Sequence, residues 1–150
     1  GAGDQAFCAG ADLKALAAAG PDLPTEIVEQ VAGRPEGPMG FSRLTAAKPV
    51  IAAIGGWCLA GGLELALWCD LRIAGRGSRL GYPERRWGVP LIDGGTVRLP
   101  RLIGMSRALE MILTAREGGA REAFDWGLAN RLASAGPALG DTNTLAPRLL

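Results

Sequence analysis

Glu64 and Glu84 are the residues of this chain best suited to moving protons. Glu64 stands in Ala60-Gly61-Gly62-Leu63-Glu64-Leu65-Ala66-Leu67 and Glu84 in Leu80-Gly81-Tyr82-Pro83-Glu84, both apolar, glycine-rich settings. A carboxylate in such a run must be paired, held neutral by a raised pKa, or used, because an unpaired buried charge is costly. The sequence contains no histidine. Acid–base chemistry therefore falls to carboxylates, lysine, cysteine or tyrosine, and the two glutamates are the best placed. Each also has a purely structural reading. Glu64 would compensate a helix dipole or pair with a buried arginine, and Glu84, followed by Arg85-Arg86, would form a surface ion pair.

Backbone amides are the second chemical resource. Gly61-Gly62 leads into a helix, where unpaired N–H groups and the positive end of the helix dipole favour an anion or a developing oxyanion. Ala9-Gly10-Ala11 is a second turn of this kind, ahead of a helix starting near Asp12. If the two turns converge they make a two-donor oxyanion hole; each alone also reads as a site of close packing. Gly62 is not followed by Lys-Ser/Thr, so this is not a phosphate-binding P-loop. Asp93, in a Gly/Pro loop before Gly94-Gly95-Thr96, reads as a helix N-cap. Tyr82 reads as packing, and Trp57, Trp68, Trp87 and Trp126 as core or pocket wall.

The elements that position these residues follow from apolar patterning. Val50–Ile54 is a continuous apolar run of the length of a buried parallel strand, closed by Gly55-Gly56. A loop and a short helix, Gly61–Trp68, follow. Leu71–Ala74 is a second strand and Arg79-Leu80 starts a third. Helices are expected over Asp12–Ala19, Thr25–Val31, Ser42–Lys48 (stopped by Pro49), Thr96–Leu102 and Ser106–Leu113 (separated by Gly104), Ala120–Trp126, and from Thr144 to Leu150. Asn130–Ala133 reads as a short strand. Gly1–Gln5 reads as loop with no strand before the small apolar run Ala6–Ala11. Strands alternating with helices give an α/β fold.

The chain has 150 residues, 48% of them apolar and 21% charged, with a formal net charge of +1, the composition of one globular domain over residues 1–150. The near-neutral balance argues against nucleic acid. The glycines and Glu64 within Pro49–Cys69 argue against reading that apolar stretch as a membrane span. Cys8, Cys58 and Cys69 lack metal-like spacing and histidine partners, so no metal site is expected. They read as buried free thiols in a reducing, cytoplasmic setting.

Ala6-Phe7-Cys8-Ala9-Gly10-Ala11-Asp12-Leu13-Lys14, Lys48-Pro49-Val50-Ile51-Ala52-Ala53-Ile54, Ala60-Gly61-Gly62-Leu63-Glu64-Leu65-Ala66 and Cys69-Asp70 together resemble the signatures of the enoyl-CoA hydratase/isomerase (crotonase) superfamily. Gly81-Tyr82-Pro83-Glu84, Gly94-Gly95-Thr96-Val97-Arg98-Leu99-Pro100 and Trp126-Gly127-Leu128-Ala129-Asn130-Arg131 continue the resemblance in order. It implies a crotonase-like fold of repeated ββα units, truncated here at both ends. A complete member carries further strands before Gly1 and a helical C-terminal region, so the isolated piece is expected to expose sheet edge and apolar surface.

The resemblance also implies an activity, hydration of a 2-enoyl-CoA thioester. The amides of Ala11 and Gly61 would form the oxyanion hole, Glu64 would deprotonate water and Glu84 would protonate C2. Ala9, Asp12, Lys14, Gly62, Trp87 and Asp93 are taken as further substrate contacts, with Lys14 toward the CoA nucleotide. No cofactor is implied beyond the CoA of the substrate. The partner is an acyl-CoA, with no nucleic acid or membrane, and the parent would be a homotrimer or hexamer. The sequence departs from the pattern at Gly55, at Ala60 in place of a glycine, and at Leu91-Ile92-Asp93, which reshapes the acyl pocket. An enoyl-CoA isomerase with Glu84 or Asp93 as base, and a non-catalytic acyl-CoA binder, are the alternatives.

Overall fold

The computed structural model describes residues 1–18, 29, 31, 33–134 and 138–149. Among the described residues seven short strands form two sheets. In the first, β2 (Ile51–Ile54), β4 (Leu71–Ala74) and β7 (Arg131–Leu132) lie parallel in the order β2-β4-β7, with Ile51 opposite Leu71 and Ile54 opposite Ala74. In the second, the order is β1 (Ala6–Cys8), β3 (Trp57–Leu59), β5 (Arg79–Gly81) and β6 (Glu117–Gly119), parallel except for the β5–β6 pair.

From β1 to β5 successive strands alternate between the two sheets, and β6 then pairs with β5 in the same sheet. The chain turns from β2 into β3 at Gly55-Gly56; Gly56 has φ +63°, and a Cβ there would overlap the Gln5 carbonyl, so only glycine makes this corner. Gly75–Ser78 makes the corresponding corner from β4 into β5. Helix α2 (Gly61–Trp68) follows β3. After β5 come a 3₁₀ turn, Pro83–Trp87, and α3 (Gly95–Ile103). These are the ββα units that the motifs imply. Helix α4 (Met105–Thr114) is set off from α3 at Gly104, φ +83°, as the sequence predicts. Further helices among the described residues are α1 (Leu13–Ala18), α5 (Ala120–Asp125) and α6 (Ala138–Leu145).

Ile54, Leu63, Leu80 and Leu99 anchor the core between the sheets and α2/α3, and Ile73, Ala133, Ala138 and Leu145 form a second cluster under α6. Among the described residues no helix is long and apolar enough to cross a membrane. On α4, Ala108 and Met111 are buried while Met105, Leu109 and Leu113, spaced four apart, form an exposed apolar stripe of the kind expected for the isolated piece.

A cation lies inside the core. Arg72 of β4 is only 3% exposed. Its guanidinium donates to Leu128 O (2.7 Å), Cys69 O (2.7 Å), Ala66 O (3.4 Å) and Asp70 O (3.4 Å), and its backbone N–H to Asn130 Oδ1 (2.8 Å). Burial lowers its pKa, opposed by Cys69 and Asp70. Ala66 and Cys69 are at the C-terminal end of α2, so the cation meets the negative pole of that helix in place of a carboxylate. Arg72→Leu strands these carbonyls and is expected to destabilise the fold by about 3 kcal/mol, read as a lower urea midpoint. An unchanged midpoint would show that the staple is dispensable.

Several expectations are corrected. The small apolar run Ala6–Ala11, to which the patterning assigns no element, opens with a strand, β1, and Trp57–Leu59 is a strand rather than loop. No helix forms over Ser42–Lys48: the Ser42 side chain and carbonyl bond to Asp93 and Arg98, and Leu44 N closes a turn on Phe41 O. The last helix begins at Ala138 and changes to a 3₁₀ turn, Ala146–Leu149, because Pro147 removes an amide and clashes with the preceding turn. Trp57 is 45% exposed rather than core, and Cys8 is half-buried, whereas Cys58 and Cys69 are buried free thiols. The helix expected over Thr25–Val31 lies, apart from Glu29 and Val31, outside the described residues.

Candidate active site

Glu64 is on the first turn of α2, and what precedes it is shaped by contact with β1. A Cβ at Gly62 would overlap the Cys8 carbonyl, so the helix can sit against the strand only with glycine there. Gly10, φ +86°, is packed so closely on the same turn that a Cβ would come 2.9 Å from Gly61 N and from Ala60 Cβ. The turns Ala9–Ala11 and Ala60–Gly61 therefore converge. Among the described residues no acceptor takes the N–H of Ala11 or of Gly61. Two free amides beside a helix N-terminus can hold an oxyanion.

Ala60 turns the chain into α2 with φ 55° and ψ −133°, outside the regions an L-residue favours. Such a conformation costs about 1–3 kcal/mol, against about 0.5–1 kcal/mol of extra chain entropy that a glycine would lose. Ala60→Gly is therefore expected to raise stability by about 1 kcal/mol in thermal unfolding. A loss of stability would mean that the alanine methyl contributes more by packing than its backbone costs.

Among the described residues no arginine pairs with the Glu64 carboxylate. It is 2% exposed, and Oε1 accepts from Asp93 N (3.0 Å) and Gly95 N (2.7 Å). Gly95 is the first residue of α3, so Glu64 caps that helix while riding on the first turn of α2. Burial raises its pKa, the backbone donors oppose this, and Asp93 adds to the rise. A Cβ at Gly95 would come 3.0 Å from Oε1 and 2.5 Å from the Tyr82 hydroxyl. Tyr82 packs in the core as expected, yet its hydroxyl has no partner among the described residues.

Glu84 is in the 3₁₀ turn and is 7% exposed, which rules out a surface ion pair. Oε2 is buried without a partner among the described residues. Burial, followed by repulsion from Glu64, lifts its pKa to about 7 against a backbone hydrogen bond that lowers it. A carboxyl titrating there can carry a proton at neutral pH and give it up.

Both glutamates line one cavity of about 550 Å³, together with Ala9, Ala11, Gly61, Trp87 and Asp93. Seven of the ten residues singled out from the sequence thus meet in one place. The other three do not line it. Asp12 Oδ1 caps α1, accepting from Lys14 N (2.9 Å) and Ala15 N (3.1 Å); Lys14 is exposed; and Gly62 lies beneath, against β1. Asp93 is not the N-cap of α3, a position taken by Gly94. Its Oδ1 instead accepts from Met39 N (3.2 Å) and the Ser42 hydroxyl. Ile92, from the stretch read as reshaping the acyl pocket, does line the cavity, whereas sequence reasoning missed the rest of the apolar wall, Pro38, Met39 and Val89, and the half-buried Cys8 beside it. The only signal for Pro38 and Met39 was a pair of apolar residues inside a Pro/Gly stretch.

All 150 residues match the family model described as enoyl-CoA hydratase/isomerase. A mevalonyl-coenzyme A hydratase of Beauveria bassiana is 41% identical over 144 residues, covering 94% of this chain and 51% of that protein. A short-chain-enoyl-CoA hydratase of Clostridium acetobutylicum is 37% identical over 154 residues, covering 100% of this chain and 56% of that protein. The crystal structure of an enoyl-CoA hydratase from Mycobacterium marinum superposes with a TM-score of 0.81 at 40% identity, over 96% of this chain and 53% of that one. The chain thus spans about half the length of the curated relatives it matches. With the converging glycine turns, the two buried glutamates and the repeated ββα units all in place, the chain belongs to the enoyl-CoA hydratase/isomerase family.

Proposed function

We propose that the full-length protein hydrates a 2-enoyl-CoA thioester to the 3-hydroxyacyl-CoA. The observation that carries this reading is the meeting of two buried carboxylates and two free amides on one cavity. In this reading Glu64 takes a proton from water as the hydroxyl oxygen bonds to C3. The electron pair of the double bond moves onto the thioester oxygen, where the Ala11 and Gly61 amides donate to it. The enolate then collapses, and C2 takes the proton held by Glu84. Removing one such donor typically costs ~10²–10³ in rate. The proton left on Glu64 passes to solvent and Glu84 takes one back before the next turnover, so electrons and protons balance without a further cofactor. Ala9, Trp87 and Asp93 bound the acyl end. Asp12 orders the first turn of α1, which puts Lys14 in place for the CoA phosphates. The same reading includes a cytoplasmic homotrimer or hexamer.

The test is to mix the full-length protein with crotonyl-CoA and follow the absorbance of the conjugated enoyl thioester. A fast decrease with 3-hydroxybutyryl-CoA as product supports hydration. No decrease, with acyl-CoA binding intact, sinks it in favour of the isomerase or the binder, and conversion of a 3-enoyl-CoA separates those two.

A further inference from the structure

The acyl end of the cavity is held by an unusual junction. Met39 and Pro38 belong to the cavity wall, contributed by a loop more than fifty positions before α3 in sequence. Met39 N donates to Asp93 Oδ1 (3.2 Å), and the N–H of the same aspartate donates to Glu64 Oε1 (3.0 Å). One residue thus joins the wall to the general base through two consecutive hydrogen bonds. Ser42, buried, donates its hydroxyl to the same Oδ1. Arg98 closes the ring from α3, with Nη1 to Asp93 O (2.7 Å) and Nη2 to Ser42 O (2.6 Å). At Gly94, between them, a Cβ would overlap the Arg98 guanidinium, so the ring fits only around glycine. Asp93 spends one carboxylate oxygen and its amide on protein groups, which is the behaviour of a clamp rather than of a group reserved for substrate.

We infer that Asp93, closed onto Ser42 and Arg98, is a positioning residue that fixes the Pro38–Met39 wall relative to the Glu64 carboxylate and so sets the length of acyl chain accepted. The inference rests on the hydratase reading for its kinetic form, though not for its binding form. A wall pinned to the base leaves a short chain well seated and a long one obstructed. Released, the wall yields to the long chain while the base loses its alignment. A misplacement of about 1 Å near the reacting atoms costs ~10²-fold in rate. A pocket that gains or loses a methylene changes discrimination by ~10–200-fold.

The test compares crotonyl-CoA with 2-decenoyl-CoA in Asp93→Ala and Asp93→Asn. Asparagine keeps an Oδ1 acceptor for Met39 and Ser42 and removes only the charge. In the alanine variant kcat on crotonyl-CoA is expected to fall about 100-fold. The ratio of kcat/KM for the long over the short substrate should rise at least about tenfold. The asparagine variant should keep the parent ratio within about threefold and so rescue specificity. An unchanged ratio in the alanine variant, or an asparagine variant that behaves as alanine does, overturns the inference. If Asp93→Ala does not fold, Ser42→Ala decides: a smaller shift in the same direction supports the clamp and no shift overturns it. If the parent turns over neither substrate, the hydratase reading fails by itself. The clamp is then judged by the ratio of dissociation constants for the two thioesters and by hydrogen exchange at the Met39 amide, which must speed up in Asp93→Ala and stay slow in Asp93→Asn.

Discussion

Glu64→Gln lowers turnover of crotonyl-CoA by about 10³-fold while acyl-CoA affinity stays within a few-fold of the parent, because proton transfer by a positioned base is worth ~10²–10⁴. The glutamine has the size of the glutamate, and its carbonyl oxygen can accept the same bonds from Asp93 N and Gly95 N, so the junction with α3 survives. What disappears is basicity. The Ala11 and Gly61 amides are backbone groups that the substitution leaves in place, so in the proposed reaction they would keep their hold on the thioester oxygen. Initial rates, together with the dissociation constant of a saturated acyl-CoA, separate the two effects. Near-normal turnover would remove Glu64 from the proton path.

Glu84→Gln produces a comparable loss of rate and, at the same time, a more stable protein at alkaline pH. The carboxyl titrates at about 7 in the fold and near 4.5 outside it. The folded value is the higher one, so the protonated form is the one the fold favours. Stability is complete below about 4.5, declines as pH rises, and has lost the whole contribution above about 7. That contribution is on the order of 2 kcal/mol once the solvent reaching the cavity is allowed for. Glutamine cannot ionise, so the decline vanishes, and urea midpoints of parent and variant should diverge between pH 5 and 8 (roughly the window the two pKa values bracket). The rate profile carries the same signature. Only protonated Glu84 can supply C2, so kcat/KM of the parent falls above about pH 7, with the rising limb set by ionisation of Glu64. A parent rate flat through that region would take the proton delivery away from Glu84.

The two glutamates were legible because each interrupts an apolar pattern, and a carboxylate there demands a reason. The strands β2 and β4 were legible for the complementary reason, since unbroken runs such as Ile51–Ile54 occur where both faces are covered. β1, β3 and β6 were not, because strands of three residues are too short to show a period and gain their identity from partners far away, as Cys8 does from Cys58 and Gly118 from Leu80. The junction at Asp93 was hidden for a similar reason. Its position before Gly94-Gly95-Thr96 carries every local mark of a helix cap, and what redirected the carboxylate was a serine fifty-one positions earlier. The seven residues that do meet on the cavity were found through motifs that fix backbone turns, and those turns recur wherever the same close approach of strand and helix must be made.

Arg72 has a bearing on chemistry as well as on folding. It is set against the C-terminal carbonyls of α2, while the Gly61 amide that faces the cavity is at the other end of the same eight-residue helix, about 12 Å away at 1.5 Å per residue. A guanidinium at the negative pole cancels the part of the helix field that would oppose an anion at the positive pole. In the proposed reaction the thioester oxygen would therefore meet a nearly unopposed positive end. In electrostatic terms the oxyanion pocket extends through the helix to the opposite side of the core, and a change at Arg72 that left every atom of the cavity in place would still alter the potential in which the enolate forms.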